Sequence, residues 1–219
     1  MGAEGLTRTR QSPNPLWRVA KRLVRFSRKL NRFGRRKVLP PLFFFTDPVR
    51  VPDPAAVIAR LPRGCAVVFR AFGADNAVNH GQDLARLARA RGLLFLVGSD
   101  EALAAACRAD GIHLPQRQIS RARVIRARHP RWIVTAAAHS SMALARAGKA
   151  KVDAAFLSPV FTSRSRSAGR PLGSSRFCAW ATKAGVPVFA LGGMNAFTAR
   201  RASRMGASGI AAIGSLVRT

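Results

Sequence analysis

The stretch VPVFALGGMNAFTARRASRMGASGIAAIGS, residues 186–215, decides the fold. Val188–Leu191 is a short apolar run that meets Gly192-Gly193, and a helical stretch, Ala196–Met205, follows at once. A second apolar run, Gly209–Ile213, ends on Gly214-Ser215. Neither run alternates apolar with polar residues. Continuous runs of this kind mark strands buried on both faces, as in a parallel sheet whose crossovers are helices. Glycine directly after each strand lets backbone N–H groups approach an anion, and the helix start beyond Gly193 adds partial positive charge. The competing reading is a pair of tight turns that bind nothing.

The same unit recurs along the chain. Strands are expected at Leu42–Thr46, Ala66–Arg70, Leu93–Val97, Gly111–His113, Trp132–Ala136, Ala154–Leu157, Val188–Leu191 and Gly209–Ile213. Helices are expected between them at Pro54–Arg60, Gln82–Arg91, Glu101–Ala109, Ser120–Arg128, Ser140–Ala147, Ser174–Ala184 and Ala196–Met205. Eight strands and seven intervening helices predict an α/β fold, a (β/α)8 TIM barrel over residues 41–219. In such barrels the loops after strands seven and eight commonly cradle a phosphate. Only six residues follow the eighth strand, too few for a final helix.

Residues 1–14 are polar and read as a disordered tail. From 15 to 37 the text is basic, and Leu16, Val19, Leu23, Phe26, Leu30 and Phe33 recur every three or four residues. That is an amphipathic helix with a basic polar face. It fits an anionic membrane surface or an organellar presequence. Its apolar face also fits the gap left by the missing last helix, and packing on the barrel there is the expectation.

The 219 residues carry 38 Lys+Arg against 9 Asp+Glu, a net charge of +29. This excess favours polyanions or phosphorylated metabolites over cationic ligands. An Arg-rich surface with no polyanion partner is the plain alternative. The three cysteines, Cys65, Cys107 and Cys178, form no C-x-x-C pair and no ligand cluster with the four histidines. A reducing, cytoplasmic setting without structural zinc is expected. No apolar run approaches the roughly 18 residues of a membrane span.

Read in order, the strand ends resemble those of the thiamine phosphate synthase/TenI family. Phe44-Phe45-Thr46-Asp47 resembles that family's opening strand, and Ala109-Asp110-Gly111-Ile112-His113-Leu114 its Ala-Asp-Gly-Val-His-Leu strand. His139-Ser140 matches its Thr-His-Ser turn, Ser158-Pro159-Val160-Phe161 its Gly-Pro-Val-Phe segment, and Ala190-Leu191-Gly192-Gly193-Met194 its Ala-Ile-Gly-Gly-Ile segment. The resemblance covers about residues 41 to 216, and it implies a (β/α)8 barrel. It further implies an enzyme that joins an aminopyrimidine pyrophosphate to a thiazole phosphate, with Mg²⁺ neutralising the departing diphosphate.

The implied catalytic set is thinly represented. At the family's Gln-x-Arg-x-Lys strand end stand Val68, Arg70 and Phe72; at its Asn-Asp pair stand Gly98 and Ser99; at its later Asp stands Gln118. Asp100 is placed to cap the next helix. The Thr-rich loop reads Thr162-Ser163-Arg164-Ser165-Arg166. With both metal carboxylates replaced, no cofactor is expected. TenI-type relatives lack the same residues and include thiazole tautomerases; where a His often precedes Val-Phe in them, this chain has Pro159.

The phosphate-binding candidates are therefore Arg70, Ser140, Ser163, Arg164, Arg166, Gly192, Gly193 and Gly214, because guanidinium forks, hydroxyls and backbone N–H groups suit phosphate oxygens. Arg70 has a competing role as partner to Asp47, and Arg164 and Arg166 as solvated loop residues. Arg70, His113 and His139 are the catalytic candidates, with hydrogen-bonded barrel histidines as the alternative for the last two. Three readings stand: a thiamine-biosynthesis transferase that couples thiazole phosphate; a TenI-like tautomerase or non-catalytic binder of a thiazole phosphate-like ligand; and a barrel whose basic surface contacts membrane or nucleic acid. Oligomeric state is open.

Overall fold

The computed structural model describes residues 15–19, 21–22, 39–163 and 169–217. Eight strands, β1 (Leu42–Phe45), β2 (Ala66–Phe69), β3 (Leu94–Gly98), β4 (Gly111–Leu114), β5 (Ile133–Ala138), β6 (Ala154–Leu157), β7 (Val188–Leu191) and β8 (Gly209–Ala212), pair in sequence order. All are parallel, and β8 returns to β1 with Phe43 opposite Ala211, so the sheet closes. This is the (β/α)8 barrel that the alternation predicts.

Period-2 geometry splits each strand between two cores. Phe43, Phe45, Val68, Leu96, Ile133, Phe156, Phe189 and Ala211 point inward and are buried together. Phe43, Phe45, Phe156 and Phe189 meet mostly edge to face at 5.0–5.2 Å, a geometry aromatic quadrupoles favour. Gly209 faces this cluster because a Cβ there would strike the Phe189 ring. The alternate residues, including Leu42, Phe44, Val67, Phe95, Ile112, Val134 and Leu157, face outward into the layer shared with the helices.

That layer is covered by α1 (Pro54–Arg60), α2 (Ala77–Ala90), α3 (Glu101–Ala106), α4 (Ala122–Arg128, entered through a 3-10 turn from Gln116), α5 (Ser141–Lys149), α6 (Gly173–Lys183) and α7 (Ala196–Arg204). After β8 the chain makes only a 3-10 turn, Gly214–Leu216. Residues 15–19 and 21–22 are helical, and Leu16, Trp17 and Val19 are buried in the outer layer. The remainder of the expected N-terminal helix, and the tail 1–14, lie outside the described residues. Among the described residues no helix is long and apolar enough to cross a membrane.

Two helix boundaries differ from expectation by three residues or more. α2 starts at Ala77, five residues before the expected Gln82, on the N-cap Asn76. α3 stops at Ala106 because Arg108 turns into the left-handed region at φ 50. Asp110 and Asp153, each just before a strand, accept the N–H of Phe95 and of Val134 at 2.8 Å and tie neighbouring strands together.

Many arginines end on backbone. Arg91 donates to Leu61 O beyond α1, and Arg89 to Cys107 O and Arg108 O beyond α3. From α4, Arg123 reaches Lys149 O and Arg126 reaches Lys151 O at the end of α5. The last carbonyls of a helix have no intrahelical donor, and a guanidinium from the neighbouring helix supplies one.

Candidate functional site

The C-terminal ends of the strands open into one cavity of about 1460 Å³. It is lined by Arg70, Gly98, Ser99, His113, His139, Ser163, Gly192, Gly193 and Gly214, so the structure brings most of the sequence candidates to one rim. Arg164 and Arg166 lie outside the described residues. One candidate falls elsewhere. Ser140 is the N-cap of α5, its hydroxyl accepting from Ala143 N at 3.1 Å, and it does not line the cavity. The structure gives it the role of a helix cap: an extended Ser at a helix start meets an orphan N–H within one turn. Gln118 also lies off the cavity, where it accepts from Arg121.

The β7 and β8 ends share the cavity wall. Gly192 and Gly193 have φ of 94 and 65, a region closed to most side chains. Their backbone is gripped by the loop after β6: Val160 N donates to Leu191 O and Phe161 N to Gly192 O. A Cβ on Gly193 would strike Thr162 O, and one on Gly192 would lie 2.9 Å from Pro159 Cα. The glycines thus satisfy a protein–protein close approach as well as facing the cavity. Among the described residues the N–H groups of Gly193 and Met194 make no hydrogen bond. The first N–H groups of the turn at Gly214 and Ser215 have no intrahelical partner either. The start of α7 is occupied differently from expectation. Asn195 accepts from Phe197 N and Thr198 N while Thr198 Oγ1 receives Asn195 N–H, a reciprocal cap that consumes those helix donors. The Asn-x-x-Thr spacing at 195–198 is the signal from which this could have been read.

At the end of β2, Arg70 is held through its backbone N–H, its Nε and one terminal nitrogen. Its N–H meets Thr46 Oγ1 at 2.9 Å, its Nε donates to Thr46 O at 2.8 Å, and one terminal nitrogen reaches Asp47 at 3.3 Å. Its guanidinium lies 4.9 Å from the Phe72 ring centre and 5.7 Å from that of Phe45. Burial lowers its pKa to about 10, against the Asp47 charge that raises it, so it remains cationic at neutral pH. Burial would raise the Asp47 carboxyl, but Arg50 at 2.7 Å and then Arg70 hold it below the usual value. The family-like Thr46-Asp47 pair therefore anchors Arg70, as its competing reading has it.

The two histidines differ. His113 is buried between Phe45 and Phe156, ring centres 4.9 and 5.3 Å away. Burial, then the charges of Arg70 and His139, push its pKa to about 3, so the ring is neutral. Thr135 Oγ1 donates to Ile112 O and takes the His113 Nδ1–H at 3.0 Å, which leaves Nε2 as an acceptor. His139 sits exposed on the rim. Its Nδ1 lies 2.9 Å from Ser158 O and 3.2 Å from Ser158 Oγ; a carbonyl only accepts, so Nδ1 carries a proton, and Nε2 makes no hydrogen bond among the described residues.

Mg²⁺ demands several hard oxygen ligands in octahedral array. The residues present do not fit it. Gly98 and Ser99 bring no carboxylate, Asp100 is bound to Leu103 N as the α3 cap, and Asp47 is committed to Arg50 and Arg70. Among the described residues no three His, Cys, Asp or Glu side chains gather as a metal site.

A closed parallel barrel with a large cavity at the C-terminal strand ends, lined by glycines of strands seven and eight together with Arg70, His113 and His139, defines a (β/α)8 protein. The sequence model of the thiamine monophosphate synthase family matches residues 44–216, and the chain belongs to that family, one of thiamine biosynthesis. It is 34% identical over 166 residues to a thiamine-phosphate synthase of Chromobacterium violaceum, covering 74% of this chain and 78% of that one. It is 33% identical over 120 residues to a putative thiamine-phosphate synthase 2 of Aquifex aeolicus, covering 55% of this chain and 64%, less than two thirds, of the relative. Among solved structures, a thiamine phosphate pyrophosphorylase from Pyrococcus furiosus superposes with a TM-score of 0.68 at 26% identity, over 80% of this chain and 85% of that one.

Proposed function

We propose that the protein binds a thiazole phosphate at the barrel mouth and moves a proton on its ring, as a TenI-type isomerase would, without metal-assisted coupling. The backbone donors at Gly193, Met194, Gly214 and Ser215 are the phosphate receptor in this reading. Ser163, on the same cavity wall, adds a hydroxyl. Arg70 contributes long-range positive charge, since its hydrogen bonds go to Thr46 and Asp47. His139 takes a proton at Nε2 and returns it to another ring atom, while Ser158 O holds the ring orientation.

The observation that carries this reading is one cavity containing both glycine-bearing strand ends and the His139 imidazole, with no carboxylate set for Mg²⁺ among the described residues. Calorimetry tests it. Thiazole phosphate is expected to bind, and aminopyrimidine pyrophosphate with Mg²⁺ is not. In deuterium oxide the bound thiazole should take up label. Mg²⁺-dependent formation of thiamine phosphate from both substrates would replace this reading with the coupling one.

A further inference from the structure

We infer that the half of the cavity over β2 and β3 receives an uncharged, planar apolar group, so that the ligand is a phosphomonoester with an apolar extension. The inference rests on the phosphate reading above and names what lies at the other end of the same cavity. A cavity of about 1460 Å³ exceeds the roughly 300–1,000 Å³ that one small ligand usually fills. From the strand ends it runs out between α2 and α3. There its wall is Ala74, Ala77, Val78, Ala102, Leu103 and Ala106. Phe72 and Val78 are 63% and 45% exposed on that wall, where nothing else in the described structure covers them.

Charge does not favour a diphosphate there. Arg50 gives Asp47 its Nε and one terminal nitrogen, Arg70 gives it one terminal nitrogen and its Nε to Thr46 O, and the other charged groups lining the cavity on this side, Asp75 and Asp100, are anions. With three carboxylates, Asp47, Asp75 and Asp100, set against two guanidiniums, this side offers no net positive charge to hold a diphosphate, and an uncharged ring meets little electrostatic cost there. Phe72 supplies the stacking surface. Its backbone sits at φ 52, a conformation that a bulky residue holds only when its surroundings enforce it. That backbone places one face of the ring against the Arg70 guanidinium, and the residue's large exposure leaves area for a planar partner.

Methyl phosphate and 1-naphthyl phosphate are the probes, titrated by calorimetry against the intact chain. 1-Naphthyl phosphate is expected to bind about tenfold or more tightly than methyl phosphate. In Val78→Asp and Phe72→Ser, both at exposed positions, the advantage should vanish while methyl phosphate affinity stays. Equal binding of the two esters to the unaltered protein overturns this inference and leaves the phosphate reading standing. If the advantage persists in both variants, the apolar group sits elsewhere and the inference is wrong. If neither ester binds, the phosphate reading fails and takes this one with it.

Discussion

The side chain of Arg70 lies across Gly98: a Cβ built on that glycine would stand 3.2 Å from Arg70 Cγ and 3.4 Å from Phe69 O. A side chain at the strand-three end would therefore be tight, because the strand-two arginine is held beside it by Thr46 and Asp47. The glycine at 98 and the held position of Arg70 are one arrangement seen from two residues.

That coupling is measurable. Gly98→Ala should lower stability by about 1 kcal/mol in urea unfolding, and the cost should largely disappear in an Arg70→Ala background. Additive costs would mean that the two side chains do not compete.

His113 sets an acid limit. Its folded pKa of about 3 lies below the unfolded value near 6.5, so the unfolded chain binds the extra proton in between. The stability it contributes is complete above about 6.5 and is lost as pH falls toward 3, at up to about 1.4 kcal/mol per unit. His113→Asn keeps a donor toward Thr135 and should flatten this slope in denaturation midpoints measured between pH 4 and 7.

Gly193→Ala should cost about 2–4 kcal/mol, since it combines a left-handed backbone with a collision at Thr162 O. Urea midpoints read the loss. A fall in methyl phosphate affinity should accompany it, because the strand-seven turn must shift. Full stability would show that the loop after β6 is looser than its hydrogen bonds imply.

His139→Asn should leave methyl phosphate binding unchanged and slow deuterium uptake by bound thiazole phosphate about 100-fold or more. An unchanged uptake rate would move the proton transfer to another group.

Thiol reagents should modify Cys178 at once and the other two cysteines only on unfolding. Cys65 and Cys107 are buried, and burial raises the Cys65 thiol to about 12. Mass spectrometry of the native protein would show one adduct.

The barrel was legible because burial on both faces writes strands such as Val188–Leu191 as unbroken apolar runs, whatever their neighbours. The positions of Gly192, Gly193 and Gly214 on one rim followed from strand order alone. Ser140 and Arg70 were not legible in the same way. Which partner a hydroxyl or guanidinium takes depends on what folding brings alongside: Ala143 N one turn away for Ser140, and Thr46 and Asp47 from another strand for Arg70. The glycine pair was half legible. Its turn could be read, but the contact with Pro159 and Thr162 that also demands glycine joins segments some thirty residues apart.

The guanidiniums that finish the helices change what the basic composition means. Arg89, Arg91, Arg123 and Arg126 act as mortar between adjacent crossovers, and a lysine in their place would carry the same charge on a single flexible ammonium. Two versions of this barrel with the same net charge at neutral pH, one built with arginine and one with lysine at these four sites, would not melt at the same temperature.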